Sequence, residues 1–326
     1  MNRYSRRMTV WLFLVPAIVF YAAFVVLPIV QSFGVSLFEW PTLSARPTRF
    51  VGLYYYAKLV TDVIFWKSLL HNIVLLVLSL VIQLPLAIFL AVLLSGRIFA
   101  RAFFRTAYFI PMILPTVVIA IVWRQIYFPA TSDGLLVRML DWLALPSPAN
   151  GFLGDSRGII EGLLSLWGIP APQGGFWSDP SLALISVILT ISWRYTGFHM
   201  VLFMAGIESI PEEMYEAARI DGANSWQLFR YITLPSLAPV IRISAVLSIV
   251  GSLKYFDLVY VMTRGGPPEH ATELMTTYMY QVGIDRYDGG YGSAIAVAGF
   301  LVSMFVVVLV MCFRGYKGAA AVEVRA

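Results

Sequence analysis

Residues 212–235 read EEMYEAARIDGANSWQLFRYITLP, a polar stretch that lies between two long apolar segments. Five acids occur from Glu208 to Asp221, whereas the flanking segments carry almost no charge. The chain of 326 residues is 59% hydrophobic and 13% charged, and a soluble domain has about a quarter of its residues charged. The composition therefore predicts an all-α integral membrane protein, in which this stretch lies outside the bilayer.

Six apolar windows are long enough to cross a membrane, because a spanning helix needs about 20 apolar residues. They predict six transmembrane helices in a single domain of residues 1–326. The windows are 10–33, 69–94, 107–128, 181–206, 237–261 and 293–313. An even number of spans puts both termini on one side. Lys and Arg are denser in the segments on that side, so the positive-inside rule predicts that both termini are cytoplasmic.

The residues SRRMTV near the N-terminus resemble the start of a twin-arginine export signal. The apolar segment that follows is longer than the apolar core of a signal peptide. We therefore predict that residues 10–33 are a transmembrane helix and are not removed.

Several other kinds of chemistry are disfavoured by the composition. The single cysteine, Cys312, allows no internal disulfide, and the three histidines are far apart, with no HExxH spacing. Glu212 and Glu216 are four residues apart, but two carboxylates without further ligands are typical of a solvated helix face, so no metal site is predicted. The net charge of +5 comes from no long basic tract, so we predict no nucleic-acid partner.

The longest predicted extramembrane segment is a periplasmic insert of residues 129–180. It contains two short amphipathic pieces, GLLVRMLDWLAL and GIIEGLLSLWGI. Each is too short for a span and is predicted to lie on the membrane surface or to pack as a small cap.

The polar segment 207–236 has the signals of two short helices. Pro211 suits the first turn of a helix, Gly222 suits its C-cap, and Asn224 or Ser225 can cap a second helix. The apolar side chains within it are predicted to be anchors for a cytoplasmic partner, or else the membrane-facing side of a simple connector. They are Met214, Tyr215, Ile220 and Trp226.

The spacing of this segment resembles the EAA signature of permease subunits in binding-protein-dependent ABC importers. The matching positions are Glu216, Ala217, Ala218, Gly222, Ile232, Leu234 and Pro235. The resemblance implies that the segment forms coupling helices that dock on an ATPase subunit. The residues that it assigns to coupling are Glu216, Ala217, Ala218 and Gly222, with Met214 and Tyr215 beside them.

The resemblance also implies the partners of the chain. These are a second, paralogous permease that completes a heterodimer, two ATPase subunits and an extracytoplasmic solute-binding protein, assembled in the cytoplasmic membrane of a bacterium or archaeon. The chain has no GxxxxGK[ST] pattern, so we expect it to be non-enzymatic and without a cofactor. ATP and Mg would then be bound by the ATPase subunits.

The segment SLKYFDLVYVMTRGGPPEHATELMTTYMYQ resembles the first of the two permeases in sugar importers of the maltose and glycerol-3-phosphate type. The solute expected from this resemblance is a sugar or a related polyol. A sugar alcohol, an oligosaccharide and glycerol-3-phosphate all stay open as alternatives.

Charged residues inside predicted spans are candidates for the solute path, because a charge in the bilayer costs about 2.5–3.5 kcal/mol on insertion scales. Arg194 is one, and it could instead form an ion pair with Asp257. Lys254 and Asp257 are three residues apart and are predicted to neutralise each other on one helical face. The residues predicted to line the solute path are Trp193, Arg194, Tyr195, His199 and Tyr255.

Two other classes of membrane protein are alternatives. An intramembrane enzyme is disfavoured because the chain has no HExxH and no GxSxG motif. A self-sufficient secondary transporter is disfavoured because such proteins commonly have duplicated halves, and no internal repeat is visible in this sequence.

Overall fold

The structure, a computed structural model, describes residues 3–43, 49–96, 99–129, 134–145, 147–148, 151–154, 158, 181–266 and 270–318. These divide into two compact units, which are described separately. Unit 1 lies within residues 1–65 and 278–302, and unit 2 lies within residues 66–277 and 303–326.

Helices form nearly all of the described secondary structure, as predicted. In chain order the first elements are α1 (Arg3–Tyr21), a π-helix (Ala22–Val26), α2 (Leu27–Val35), β1 (Phe38–Glu39), β2 (Arg49–Phe50), α3 (Tyr54–Thr61), α4 (Val63–Leu78), a π-helix (Ser79–Gln83), α5 (Leu84–Ser95), α6 (Arg101–Ile113), α7 (Thr116–Tyr127) and α8 (Leu135–Trp142).

The remaining elements begin at Leu182. They are α9 (Leu182–Glu208), α10 (Glu212–Ile220), α11 (Ser225–Leu228), a π-helix (Phe229–Thr233), α12 (Leu234–Ser236), α13 (Ala238–Lys254), α14 (Asp257–Thr263), α15 (Met275–Tyr280), a π-helix (Gln281–Asp285) and α16 (Gly289–Gly318).

Four described helical segments are long and apolar enough to cross a membrane. They are Trp11–Val35, Val63–Ser95, Leu182–Glu208 and Gly289–Leu309, and each overlaps one of the predicted spans. Two bent helix pairs also pass the test of length and composition, which gives up to six spans if each pair counts as one.

The predicted span 107–128 is strongly bent, because the chain breaks between α6 and α7. The two helices meet at an angle of 99°. The cause is Pro115, which disfavours helical geometry at the residue before it, and Leu114 accordingly adopts an extended conformation with ψ 143°.

The predicted span 237–261 is also interrupted, because α13 ends at Lys254 and α14 begins at Asp257. Tyr255 between them is extended, with ψ 127°, and its carbonyl accepts a hydrogen bond from Oγ1 of Thr276. Lys254 and Asp257 therefore do not share a helical face. No ion pair joins them in the part of the chain that the structure describes.

Three of the π-helices end two residues before a proline. The prolines are Pro28, Pro85 and Pro235. Proline lacks an N–H group and its ring clashes with the carbonyl four residues earlier, and in each case that carbonyl lies inside the π-helix. The wider turn of a π-helix, with hydrogen bonds between residues five apart, removes the clash without breaking the helix.

Unit 2 is built around α9, which packs against α5, α6 and α13. One buried cluster joins α9 to α7 and α14, and a second joins α9 to α5. The side chains of the second cluster that come from α9 are Met200, Phe203 and Met204. This arrangement places one face of α9 in the core.

Unit 1 contains a two-residue hairpin in which β1 and β2 pair antiparallel. The carboxylate of Asp62 accepts hydrogen bonds from the hydroxyls of Tyr278, at 2.6 Å, and of Tyr291. Tyr55 donates a hydrogen bond to Asp288 at 3.2 Å. These bonds hold the ends of the two chain segments that form the unit.

Most of the predicted insert 129–180 lies outside the described residues, including nearly all of GIIEGLLSLWGI. The piece GLLVRMLDWLAL is described and is helical, as α8, with Val137 buried.

Candidate functional site

The polar segment folds as two short helices joined by a tight turn, as its capping signals predict. Helix α10 begins one residue after Pro211, which is its N-cap. The turn after it contains Gly222, whose φ of +82° is a conformation that favours glycine. The N–H of Gly222 donates to the carbonyl of Arg219 and that of Ala223 to Ala218, which is the Schellman arrangement of a helix end.

The second helix, α11, begins with a capping box. The side chain of Asn224 accepts a hydrogen bond from the N–H of Gln227, and the Gln227 side chain accepts one from the N–H of Asn224. Of the two predicted caps, Asn224 is the one that the structure uses.

Nearly the whole outer surface of α10 is exposed, and none of its residues is buried. Glu216 and Ala217 are exposed, whereas Tyr215 and Ala218 are partly covered. Three large apolar side chains of the two helices are exposed: Met214 (46%), Ile220 (85%) and Trp226 (67%). Large apolar side chains that stay exposed on a polar segment are available for contact with a partner or with the membrane.

The hydroxyl of Tyr215 faces the interior of the segment. It lies 3.0 Å from Oγ1 of Thr233, the last residue of the π-helix Phe229–Thr233. Tyr215 therefore differs from Met214, because its polar end is engaged within the chain.

A cavity of about 210 Å³ lies in unit 2 between α9, α13 and the π-helix Ser79–Gln83. Three of the predicted path residues line it: Tyr195, His199 and Tyr255. The other lining residues are Ser79, Gln83, Ile191, Phe198, Leu247, Ser248, Gly251 and Ser252. The wall of the cavity thus combines hydroxyl, amide and imidazole groups with apolar side chains. No Asp, Glu, Lys or Arg is among the described residues that line it.

His199 supplies the clearest unfilled hydrogen-bonding capacity at this cavity. Its Nε2 lies 3.2 Å from Oγ of Ser248, while Nδ1 is buried and has no hydrogen-bond partner in the described structure. A buried polar atom of this kind is costly unless it is paired. The hydroxyl of Tyr255, another lining residue, is likewise buried without a partner in the described structure.

Arg194 and Trp193, which were also predicted to line the path, are not among the residues that line this cavity. The guanidinium carbon of Arg194 nevertheless lies 5.3 Å from the ring centre of Tyr195, which does line it. Arg194 is 8% exposed and donates hydrogen bonds to Oγ1 of Thr116, at 2.7 Å, and to the carbonyl of Leu114, at 3.4 Å. Trp193 packs edge-on against Trp123. The alternative ion pair of Arg194 with Asp257 is absent from the described part of the chain.

Sequence reasoning missed the small polar residues of the cavity. Ser248 and Ser252 are four residues apart in an otherwise apolar window, and Ser79 and Gln83 have the same spacing. A pair of polar residues on one face of a membrane helix is the signal that could have located this wall. Metal binding has no support in the described residues, where no group of three or more His, Cys, Asp or Glu side chains is close enough.

Comparison with known proteins gives consistent matches over nearly the whole chain. Residues 83–317 match the family described as "Binding-protein-dependent transport system inner membrane component". The "Probable ABC transporter permease protein PH1215" of Pyrococcus horikoshii is 35% identical, and the alignment covers 94% of this chain and 95% of that protein. The trehalose/maltose transport system permease protein MalF of Thermococcus litoralis is 29% identical, with 91% of each chain covered.

One solved structure has the same fold over nearly the full length. It is the crystal structure of a bacterial ABC transporter involved in the import of the acidic polysaccharide alginate, with a TM-score of 0.74 and 22% identity. The alignment covers 96% of this chain and 98% of that chain.

Proposed function

Because the chain belongs to the family of binding-protein-dependent transport system inner membrane components, we propose that it forms half of the pathway of an ATP-driven importer for a sugar or related polyol. The chain is a multi-pass, non-catalytic membrane subunit. The energy for transport comes from ATP hydrolysis in separate subunits.

The observation that carries this proposal is the form of helix α10. It is a helix without buried residues between two apolar segments, closed by a Schellman turn at Gly222 and followed by the capped helix α11. A polar segment without its own buried core needs a partner to hold it in one place. An ATPase groove is the partner that the EAA spacing implies.

In this proposal α10 and α11 are coupling helices on the cytoplasmic side. Glu216 and Ala217 face the ATPase, together with the exposed side chains of Met214, Ile220 and Trp226. Ala218 and Gly222 keep the turn narrow enough to enter a groove. Two ATPase subunits would bind ATP and Mg and serve the two halves of a heterodimer.

The cavity supports a neutral solute. Its described lining contains no Lys or Arg, so a phosphate group there would have no opposite charge to replace its hydration. Arg194, which could have served an anion, is engaged with Thr116 instead. Glycerol-3-phosphate is therefore less well supported than a neutral sugar. Relatives named as lactose, arabinooligosaccharide and trehalose/maltose permeases support a sugar as the solute, and a further relative is named for sulfoquinovosyl glycerol.

The proposed topology counts α6 and α7 as one bent span and takes α13 as a span without the segment Ser225–Ser236 that precedes its bend. This gives six spans with both termini in the cytoplasm, and it puts segment 207–236 on the cytoplasmic side. An extracytoplasmic binding protein delivers the solute, and a second permease, with this chain as the first of the two, completes the pathway.

The test is reconstitution of the complete transporter. The chain is produced with its neighbouring permease, ATPase and binding-protein genes, placed in proteoliposomes, and assayed for ATP-dependent uptake of labelled maltose, trehalose, lactose and glycerol-3-phosphate. We expect uptake of at least one neutral sugar, dependent on both ATP and the binding protein.

Uptake that persists without the ATPase would instead indicate a secondary transporter. ATP-dependent uptake of glycerol-3-phosphate alone would support the proposal that the chain belongs to an importer. It would contradict the proposal that the solute is neutral.

A further inference from the structure

Helix α10 has little packing of its own to fix it against the rest of unit 2. None of its residues is buried, and only Tyr215 and Ala218 are partly covered. The chain enters it through the short turn at residues 209–211 and leaves it through the turn at 221–224. Both turns are largely exposed, so a side-chain contact between α10 and the helices that follow gives a force applied to α10 a second, direct route.

The hydrogen bond of Tyr215 supplies such a route. Its hydroxyl lies 3.0 Å from Oγ1 of Thr233, and Thr233 is buried. Oγ1 of Thr233 also donates to the carbonyl of Leu228, at 3.4 Å. A hydroxyl has a single proton, so when Thr233 donates to Leu228, Tyr215 is the donor in its bond with Thr233.

The position of Thr233 makes this bond more than a local contact. Thr233 ends the π-helix Phe229–Thr233, and α12 continues directly from it. After a bend of 64° the chain enters α13, whose residues Leu247, Ser248, Gly251 and Ser252 line the cavity. The bond thus joins α10 to the end of the helical segment that contains the cavity wall.

We propose that the Tyr215–Thr233 hydrogen bond transmits movement of α10 to α13, so that Tyr215 is a positioning residue for the transport cycle. The inference rests on the proposed function, because it assumes that an ATPase moves α10. Docking itself uses the outward side chains of α10, including Met214 and Glu216, which do not take part in this bond. Without the bond, ATP hydrolysis should therefore continue, but it should no longer change the conformation of the cavity.

The reporter is a single cysteine at the cavity. Gly251 is exposed, and a Cβ added there would meet no atom within 4 Å, so Gly251→Cys is sterically tolerated. The native cysteine is removed by Cys312→Ser. The reconstituted transporter is treated with 2-(trimethylammonium)ethyl methanethiosulfonate. The labelling rate of the introduced thiol is then compared without nucleotide and after trapping with ATP and vanadate.

In the background with an intact bond we expect trapping to change the labelling rate by about fivefold or more, the range of typical coupling between sites. In Tyr215→Phe and in Thr233→Val this change should disappear, while ATPase retention and ATP hydrolysis persist. The double variant should behave like either single variant, because both remove the same interaction. Thr233→Ser keeps the hydroxyl and should restore the response.

Tyr231→Phe is the matched control, since it removes a hydroxyl from a ring of the same segment that is 74% exposed. It should leave the response unchanged. The proposal is overturned if trapping still changes the labelling rate fully in Tyr215→Phe. It is also overturned if that change is lost equally in Thr233→Ser and Thr233→Val. If Tyr215→Phe fails to assemble, the comparison of the serine and valine variants decides. A background that hydrolyses no ATP, or shows no response, contradicts the proposed function instead.

Discussion

Nη1 of Arg194 donates a hydrogen bond to Oγ1 of Thr116 across 2.7 Å, and this bond fixes the start of α7 directly after the 99° bend. Nη2 reaches the carbonyl of Leu114 on the other side of Pro115. The buried charge of α9 therefore holds the two arms of a broken helix, and its guanidinium carbon also lies 5.3 Å from the ring centre of Tyr195 at the cavity.

Arg194→Met should destabilise the assembled protein by about 1–3 kcal/mol, because it removes two hydrogen bonds from a charged donor that join α9 to the bend. The expected observation is a lower Tm in detergent, with normal uptake per assembled complex. Arg124→Met is the control, since Arg124 is exposed. An unchanged Tm combined with lost uptake would return Arg194 to the solute path.

Gly222→Asp should leave the membrane helices folded but remove the ATPase. The φ of +82° makes a non-glycine residue cost about 1 kcal/mol, and a Cβ meets no atom of this chain within 4 Å. A bulky side chain would therefore act on the partner. Gly222→Ala, whose backbone cost is at least as large and whose side chain is smaller, should keep more ATPase in a pull-down. Wild-type retention and uptake in Gly222→Asp would show that the segment is only a connector.

Gly251→Leu should block transport by filling the cavity. The site has open space around its Cβ, so the protein should assemble normally. Gly34→Leu is matched to it, because Gly34 also lies in a helix with no atom within 4 Å and is not part of the cavity. We expect uptake to fail in the first variant and to persist in the second. Equal uptake in both would mean that the solute passes elsewhere.

The stability of unit 1 should depend on the ionisation of Asp62. Burial raises the pKa of this carboxyl, but hydrogen bonds from Tyr278 and Tyr291 outweigh it and hold the pKa below its usual value. A carboxyl whose pKa is lower in the folded chain stabilises that chain at every pH above its pKa in the unfolded chain. This stabilisation is lost as the pH falls through the pKa of the folded chain. Asp62→Asn should therefore lower Tm at pH 7, and the difference from wild type should shrink below about pH 4. A difference that is independent of pH would contradict this assignment.

Cys312 should be protected from a membrane-impermeant thiol reagent in intact cells, because the proposed topology puts the C-terminal end of α16 in the cytoplasm. The variant Ser147→Cys, whose new thiol is on the opposite side in that topology, should be labelled there under the same conditions. Labelling of Cys312 with protection of the thiol introduced at position 147 would invert the proposed orientation.

The sequence was sufficient to predict the turn at Gly222 and the cap at Asn224, because these depend on neighbouring residues. It was also sufficient to indicate three cavity residues, since polar groups in an apolar helix are conspicuous. It did not predict the breaks at Leu114 and Tyr255. Hydropathy averages over a window and does not detect a change of direction within it.

The placement of Arg194 could not be predicted for a related reason. Its partners Thr116 and Leu114 are distant in sequence, and they face Arg194 only because Pro115 turns the chain between α6 and α7. A charge in a span indicates that some polar partner exists. Whether that partner is a solute or a carbonyl depends on tertiary packing.

The π-helix Ser79–Gln83 changes the angular phase of the helix that contains it. Before it, the buried residues include Ser68, Asn72 and Leu75; after it, they include Ala87, Ala91 and Leu94. On a helical wheel drawn at about 100° per residue, the mean directions of the two sets differ by roughly 100°, the angle of one residue. The wider turn cancels that offset, so both sets face one core. Deleting a single residue between 79 and 83 would therefore rotate one half of the helix against the other, and Asn72 would lose its bonds to Ser252 and Met275.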